Sequence, residues 1–188
     1  NELVVNRAIS QGYRGSGSKI VTGGDNPYSD SECVFCGHCV QVCPTGALTE
    51  KKAEGLGRAW DIKTVRATCP YCGVGCQQNL HLNGEQIVKI TGVEDGAPNY
   101  GRLCVKGRFA YDFIYSKDRL TTPLIRQDDG SFKEASWDEA LDHVVKRFQE
   151  IIKESGPDSV AGISCAHSIN EDSYNMQKLF RAVFQTNN

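Results

Sequence analysis

The chain has 188 residues, of which 39 % are apolar, and its 21 basic and 23 acidic side chains leave a net charge of −2. This balance argues against nucleic acid as a partner, because nucleic-acid binding needs a strongly basic surface. Apolar stretches are too short for a membrane span, and the first 20 residues lack the layout of a secretion signal. Nine cysteines are the outstanding feature. Their spacing of two or three residues is more typical of metal ligands than of disulfides.

The first half of the chain predicts loops, cysteine runs and short strands. Glycine and serine dominate residues 1–32, and a hydrophilic linker is predicted over residues 49–58, after the first cysteine run. Asn83-Gly84 predicts a type I′ hairpin turn, because both residue types tolerate a positive φ. Strands are predicted over residues 77–82 and 86–91, on either side of this turn, and over residues 61–68, before Cys69.

The second half predicts longer helices. A short aromatic helix over residues 109–115 precedes a hairpin that turns at Asp129-Gly130. Ser136 and Glu139 have the spacing of a capping box, which predicts a helix from there to about residue 155. A buried strand over 160–164 and a helix over 171–184, capped by Asn170, are predicted next. Helix, strand and helix in this order are typical of the opening of an α/β layer.

The first cysteine run has the spacing C-x2-C-x2-C-x3-C-P of bacterial ferredoxins. Its members are Cys33, Cys36, Cys39 and Cys43. The two-residue gaps let three thiolates surround one 4Fe-4S cluster, and the intervening glycine allows close backbone approach. Cys43 has two interpretations, since the fourth cysteine of such a run binds the other cluster in two-cluster ferredoxins. The partner run would then precede Asn1 in a longer chain, whereas the alternative is one self-contained cluster.

The second cysteine set has the spacing C-x2-C-x3-C-x27-C. Its members are Cys69, Cys72, Cys76 and Cys104. Four thiolates suit a second 4Fe-4S cluster, with zinc as the alternative. Lys106 and Arg108 concentrate positive charge just after the last ligand, and Lys106, two residues past Cys104, would stabilise a reduced cluster. The ninth cysteine, Cys165, is predicted to be an inert buried thiol at the end of a strand.

This second set, followed by Lys106-Gly107, resembles the N-terminal cluster domain of the molybdopterin oxidoreductases. The segments 119–126 and 136–141 match that family too, and segments 170–178 and 186–188 resemble formate dehydrogenase catalytic subunits in particular. A ferredoxin-like run placed ahead of the cluster domain resembles the extended, cytoplasmic formate dehydrogenases that are linked to NAD or hydrogenase. Gln185 departs from the pattern, because the family usually has glycine before Thr186-Asn187-Asn188.

The resemblance implies an α+β fold with three parts. A small ferredoxin-like domain over 1–58 would be followed by a small β-rich 4Fe-4S domain over 59–115 and by the start of an α/β pterin-binding domain over 116–188. The implied cofactors are 4Fe-4S clusters and a bis-molybdopterin guanine dinucleotide with molybdenum or tungsten. Lys106 would lie between cluster and pterin as an electron relay. The metal-ligating cysteine or selenocysteine would follow residue 188, so this stretch alone is expected to be inactive.

The implied reaction is the oxidation of formate to CO2 or its reverse. Electrons would pass Lys106 to the second cluster, then to the first, and on to an iron–sulfur partner linked to NAD, ferredoxin or hydrogenase. Two alternatives stay open. One is a non-catalytic electron-wiring subunit that resembles the large iron–sulfur subunit of NADH dehydrogenase. The other is a different pterin oxidoreductase, such as a nitrate reductase.

Overall fold

The structure is a computed structural model that describes residues 4–188. It divides into two compact units. The first comprises Asn1–Tyr71 and Gly75–Asp112, and the second comprises Cys72–Val74 and Phe113–Asn188. Helices and strands are mixed, as the α+β prediction requires, and every strand pair within residues 4–188 is antiparallel.

The first unit contains two small sheets and two short helices. A hairpin that the sequence did not predict pairs β1 with β2, and a three-stranded sheet has the order β3-β4-β5. Helix α1 lies in the first cysteine run, and α2 follows the last cysteine of the second set. The bounds are β1 Ile9–Gly12, β2 Lys19–Thr22, α1 His38–Val42, β3 Lys63–Thr68, β4 Gln77–Asn83, β5 Gln86–Gly92 and α2 Val105–Phe109.

The β4–β5 hairpin confirms the predicted pairing but not the predicted turn. Asn83 pairs with Gln86, so the loop consists of Gly84 and Glu85. Only Gly84 of this loop has a positive φ, of 59°, and the type I′ prediction for Asn83-Gly84 is therefore wrong. Asn83 is held in the strand, and its side-chain amide donates a hydrogen bond to the carbonyl of Leu56 at 2.8 Å.

The apolar core of the first unit lies between this hairpin and the segment around α2. Ile87 and Ile90 pack with Leu103 and Tyr111. The Tyr111 hydroxyl donates to the carbonyl of Val88 at 2.9 Å. The aromatic helix predicted over 109–115 is instead split into α2 and a 3₁₀ turn, Asp112–Tyr115. Between these two elements, Tyr111 turns its ring into the core.

The segment 49–58, predicted as a solvated linker, is anchored to the first unit. The ammonium of Lys52 donates to the carbonyl of Phe109 at 2.7 Å and lies 2.7 Å from a carboxylate oxygen of Asp112. It also lies 4.0 Å from the centre of the Tyr111 ring. Hydrophilic composition misled the prediction, because a lysine stem can cover an aromatic surface while its charge stays paired.

The second unit contains a hairpin and the longer helices. The bounds are β6 Leu124–Arg126, β7 Phe132–Glu134, α3 Trp137–Ser155, α4 Asn170–Lys178 and a π-helical turn Leu179–Phe184. The predicted capping box is confirmed, since Glu139 N donates to Ser136 Oγ at 3.1 Å and Ser136 N donates to Glu139 at 2.8 Å. Helix α3 ends at Ser155 and is followed by Gly156, which has a φ of 82°; the predicted end at about residue 155 is confirmed. None of the helices within residues 4–188 is long and apolar enough to cross a bilayer.

Two predictions for the second unit are wrong. Residues 160–164 do not form a strand, and Ile163 is 94 % exposed. A strand needs a neighbour for its backbone groups; here the amide of Gly162 instead donates to the carbonyl of Asn188 at 3.1 Å. The predicted cap, Asn170, is the first residue of α4, and Ile169 occupies the capping position without a side-chain hydrogen bond.

A tight turn follows the π-helical segment. Gln185 has a φ of 60°, in the left-handed region. Behind it, the buried Thr186 donates its amide to the carbonyl of Phe180 at 3.0 Å and its hydroxyl to Asp158 at 2.6 Å. Glutamine therefore occupies a backbone conformation that glycine adopts at lower cost.

Replacing Gln185 with glycine is expected to raise the free energy of unfolding by about 1 kcal/mol, because it removes this backbone strain. Denaturant unfolding measures the change. The matched control is Gln177→Gly within α4, which should lower stability by about 1 kcal/mol. A destabilising effect of Gln185→Gly would contradict the strain argument.

Candidate iron–sulfur sites

Three thiols of the first cysteine run line one cavity. Cys33, Cys36 and Cys39 border a space of about 410 Å³ whose walls include Ala8 and Val42. The pKa of the Cys39 thiol is raised, first by burial, and the charges of Cys36 and Cys33 raise it further. Three soft donors around an apolar-walled space fit the ligand chemistry of an iron–sulfur cluster.

Cys43 stands apart from this cavity. Its sulfur lies 3.5 Å from the hydroxyl of Thr45, and it directly follows α1, the helix that contains Cys39. The Thr45 hydroxyl, followed by the Leu48 amide, lowers the pKa of Cys43 to about 7. Cys43 does not line the cavity of the other three thiols. This separation favours the interpretation in which Cys43 serves another cluster, and its ligand role stays a prediction.

Within the first unit, the second cysteine set is organised around the start of α2. The amide of Cys69, at the end of β3, donates to the carbonyl of Cys76, just before β4, at 2.8 Å. A methyl group on Gly107 would lie 3.3 Å from the Cys69 sulfur, so glycine lets α2 approach this thiol. The pKa of Tyr71 is raised by burial and by the charges of Cys69, Asp112 and Cys104.

Asn99 fixes the loop that leads to Cys104. Its side chain accepts a hydrogen bond from the amide of Gln77 at 2.7 Å and donates to the Gln77 carbonyl at 3.0 Å. It also donates to the carbonyl of Arg102 at 2.7 Å. Gln77 follows Cys76 directly, and Arg102 shortly precedes Cys104. The buried side chain of Asn99 therefore holds the segment after Cys76 next to the segment that leads to Cys104.

The remaining member, Cys72, belongs to the second unit together with Gly73 and Val74. The Gly73 amide donates to the carbonyl of His167 at 2.5 Å. A methyl group on Gly73 would lie 2.6 Å from the Ser168 carbonyl oxygen, a distance that no Cβ adopts. The cysteine loop is thus packed directly on the turn at residues 165–168.

Cys165 is exposed, so the prediction that its thiol is buried is wrong. The expectation depended on a strand over 160–164, which does not form. Its sulfur lies 3.2 Å from Nδ1 of the exposed His167. It borders a hollow of about 370 Å³ in the second unit, which Gln177, Arg181 and Asn187 also line.

Arg108 is a site residue whose role the sequence analysis missed. The side chain is only 2 % exposed, and its Nε donates to the carbonyl of Cys36 at 2.6 Å. Its Nη1 donates to Gln41 Oε1 at 2.9 Å. The available signal was its position four residues after Cys104 on a short helix, which places both on one face.

Lys106 is exposed on α2. The predicted role of Lys106, as an electron relay between the second cluster and a pterin, stays a prediction. Within residues 4–188, no group of three histidine, cysteine or acidic side chains is arranged to hold a single metal ion. A cluster differs from a single ion in that its thiolate ligands are distributed around four iron atoms.

Comparison with protein families accounts for most of the chain. Residues 62–116 match the molybdopterin oxidoreductase Fe4S4 domain, and residues 119–188 match the molybdopterin oxidoreductase domain. The chain belongs to the molybdopterin oxidoreductase family. Residues 27–49 match a 4Fe-4S binding domain. The cofactors of this molybdopterin oxidoreductase are therefore 4Fe-4S clusters and a molybdopterin, as predicted, while the domain boundaries at 58/59 and 115/116 stay predictions.

Several relatives match the chain over its entire length, and two of them illustrate the range of names. The NADPH-Fe(3+) oxidoreductase subunit alpha of Geobacter sulfurreducens is 36 % identical, and the chain spans 21 % of that protein. A protein of Staphylococcus haemolyticus that bears the name "Putative formate dehydrogenase" is 35 % identical, and the chain spans 23 % of it. The chain thus corresponds to about a fifth of the length of these relatives.

The packing of Gly37 gives a test of the contact between the first cysteine loop and α2. A methyl group there would collide with Arg108 Cδ and lie 2.6 Å from Phe109 Cζ. We expect Gly37→Ala to lower the free energy of unfolding by about 1–3 kcal/mol beyond the cost of its positive φ, and to lower the iron content. Unfolding and iron analysis measure both effects.

Gly46 supplies the matched control. Its φ of 65° is close to the 68° of Gly37, but no atom lies within 4 Å of a methyl group built on it. Gly46→Ala should therefore cost only the backbone strain, about 1 kcal/mol. Equal losses in the two variants would show that the packing against Arg108 and Phe109 contributes nothing.

Proposed function

We propose that the chain is the electron-transfer part of a formate dehydrogenase catalytic subunit. The observation that carries this proposal is the contact between the cysteine loop Cys72–Val74 and the turn at residues 165–168. Cys165 of this turn borders the hollow in the second unit, while His167 accepts the hydrogen bond of Gly73. A cofactor in the hollow would therefore lie one turn away from a cluster ligand.

The hollow suits part of a pterin cofactor. Its lining offers the amides of Gln177 and Asn187, the guanidinium of Arg181 and the hydroxyl of Ser173. These groups can hydrogen-bond a polar, phosphate-bearing ligand. A molybdenum or tungsten pterin, when bound, supplies the two-electron chemistry of formate and CO2. The residues of this chain would hold the pterin and accept the electrons that leave it.

Electrons would then pass along the two cysteine sets. In the proposal, Cys69, Cys72, Cys76 and Cys104 hold the cluster nearest the pterin, with Lys106 as the relay on the pterin side. Cys33, Cys36 and Cys39 hold the next cluster, and Cys43 serves a further one. The final acceptor is an iron–sulfur partner subunit linked to NAD, ferredoxin or hydrogenase in the cytoplasm.

A second candidate function is an electron-wiring subunit. The Geobacter relative, whose name states an NADPH-Fe(3+) oxidoreductase subunit, is as similar to the chain as the Staphylococcus relative is. An electron-wiring subunit without pterin chemistry would use the same two cysteine sets. The contact between Gly73 and His167 favours a pterin enzyme, because a wiring subunit has no need of a polar hollow beside its cluster loop.

Metal and activity analysis of the complete protein tests the proposal. We expect molybdenum or tungsten together with pterin, and reduction of the clusters when formate is added. A protein that contains iron and sulfide but neither pterin nor its metal would contradict the proposal and favour the wiring subunit. A third outcome would favour a nitrate reductase. The protein would then contain pterin, its reduced clusters would be reoxidised by nitrate, and it would not react with formate.

Serine substitutions test the ligand assignment. Cys76→Ser should remove the cluster of the second set and Cys36→Ser that of the first, each with the loss of about four iron atoms per chain. Iron analysis and electron paramagnetic resonance of the reduced protein measure these losses. The control is Cys165→Ser, which should retain every cluster. An unchanged iron content in Cys76→Ser would remove Cys76 from the ligand set.

A further inference from the structure

Arg108 connects the two cysteine sets within the first unit. Its Nε donates to the carbonyl of Cys36, a member of the first set, at 2.6 Å. Its backbone amide donates to the carbonyl of Cys104, a member of the second set, at 3.1 Å. One residue is thus hydrogen-bonded to the main chain of a cysteine from each set.

The charge of Arg108 is buried without a paired carboxylate. Within residues 4–188, no ion pair joins this guanidinium to an acidic side chain, and its Nη2 is buried without a hydrogen-bond partner. Burial lowers the pKa of Arg108, while the charges of Cys36, Glu50 and Cys39 raise it. A buried cation destabilises the fold unless nearby negative charge compensates it. Two of these three groups are cysteines of the first set, which carry negative charge in the thiolate form that binds iron.

Neighbouring residues hold the guanidinium in this place. Gln41 accepts from Nη1 at 2.9 Å, and its side chain is itself fixed to the backbone of Gly92 by bonds of 2.9 and 3.2 Å. The carbonyl of Ile90 accepts from Nη1 at 3.3 Å. The absence of a side chain at Gly37 leaves the space that the stem of Arg108 fills. A fixed cation exerts a constant electrostatic effect, unlike a mobile surface lysine.

We propose that Arg108 is a positioning residue that raises the reduction potential of the cluster held by Cys33, Cys36 and Cys39. Reduction adds negative charge to a cluster, and a buried cation next to it stabilises that charge more strongly than an exposed cation would. Arg108 thereby favours electron flow from the second set to the first. This role rests on the proposed function, since it takes the first set to be the acceptor.

Redox titration of the complete protein, followed by electron paramagnetic resonance, tests this role. Arg108→Gln removes the charge and should shift the potential of the first cluster to more negative values, with a smaller shift at the second. Arg108→Lys keeps the charge and should stay near the native potential. Arg14→Gln, at an exposed arginine between β1 and β2, is the control for net charge and should cause no shift. An unchanged first-cluster potential in Arg108→Gln overturns the proposal, and so does an equal shift in Arg14→Gln.

A measurement on the native protein covers the case in which Arg108→Gln fails to retain iron. The protein is labelled with ¹⁵N in the arginine guanidinium groups, and pulsed resonance records nitrogen coupled to the reduced first cluster. We expect a ¹⁵N coupling that disappears in Arg108→Lys. If the native protein contains both clusters but shows no ¹⁵N coupling, the role of Arg108 is overturned. Absence of the cluster signals themselves would instead overturn the proposed function.

Discussion

The hydrogen bond from Arg108 to the carbonyl of Cys36 is the interaction on which the arrangement of the two cysteine sets depends. It ties the first cysteine loop to the helix that begins just after Cys104. Gly37 leaves the space for this side chain, and Gln41 holds its far end. The two sets are separated by 25 residues of sequence between Cys43 and Cys69, yet within the first unit a single buried cation links Cys36 to the segment that starts at Cys104.

Buried polar contacts such as those of Arg108 are needed to position the loops because the apolar core is small. Few side chains of the described residues are buried, and the core cluster of the first unit has only four members, Ile87, Ile90, Leu103 and Tyr111. Side-chain hydrogen bonds to backbone carbonyls therefore position the loops, as Asn99 and Lys52 also illustrate. Metal–thiolate bonds contribute folding free energy in such domains. The cysteine loops thus combine two sources of order that do not require a large core.

Local signals predicted the elements that depend on near neighbours. The capping box of Ser136 and Glu139 and the pairing of β4 with β5 formed as expected, because their determining contacts lie within a few residues, although the turn between β4 and β5 is not the predicted one. Predictions failed where the structure of a segment depends on contacts with residues that are distant in sequence. Residues 160–164 have the composition of a strand, but no strand of the described chain pairs with them. The segment 49–58 looks like a linker until Phe109 and Asp112 provide partners for Lys52.

The cysteine spacings by themselves predicted iron–sulfur clusters, because ligand type and reach along the chain are local properties, and the resemblance of further segments to the molybdopterin oxidoreductases indicated the family. The sequence also placed a cation, Arg108, four residues after Cys104. Only the tertiary structure decided that this cation lies against Cys36, 72 residues away in sequence. It likewise decided that Cys43 stands apart from the cavity of the other three thiols, and that Cys165 is exposed. The reason is physical: which groups surround a side chain, and so its burial and electrostatics, depends on residues remote in the chain.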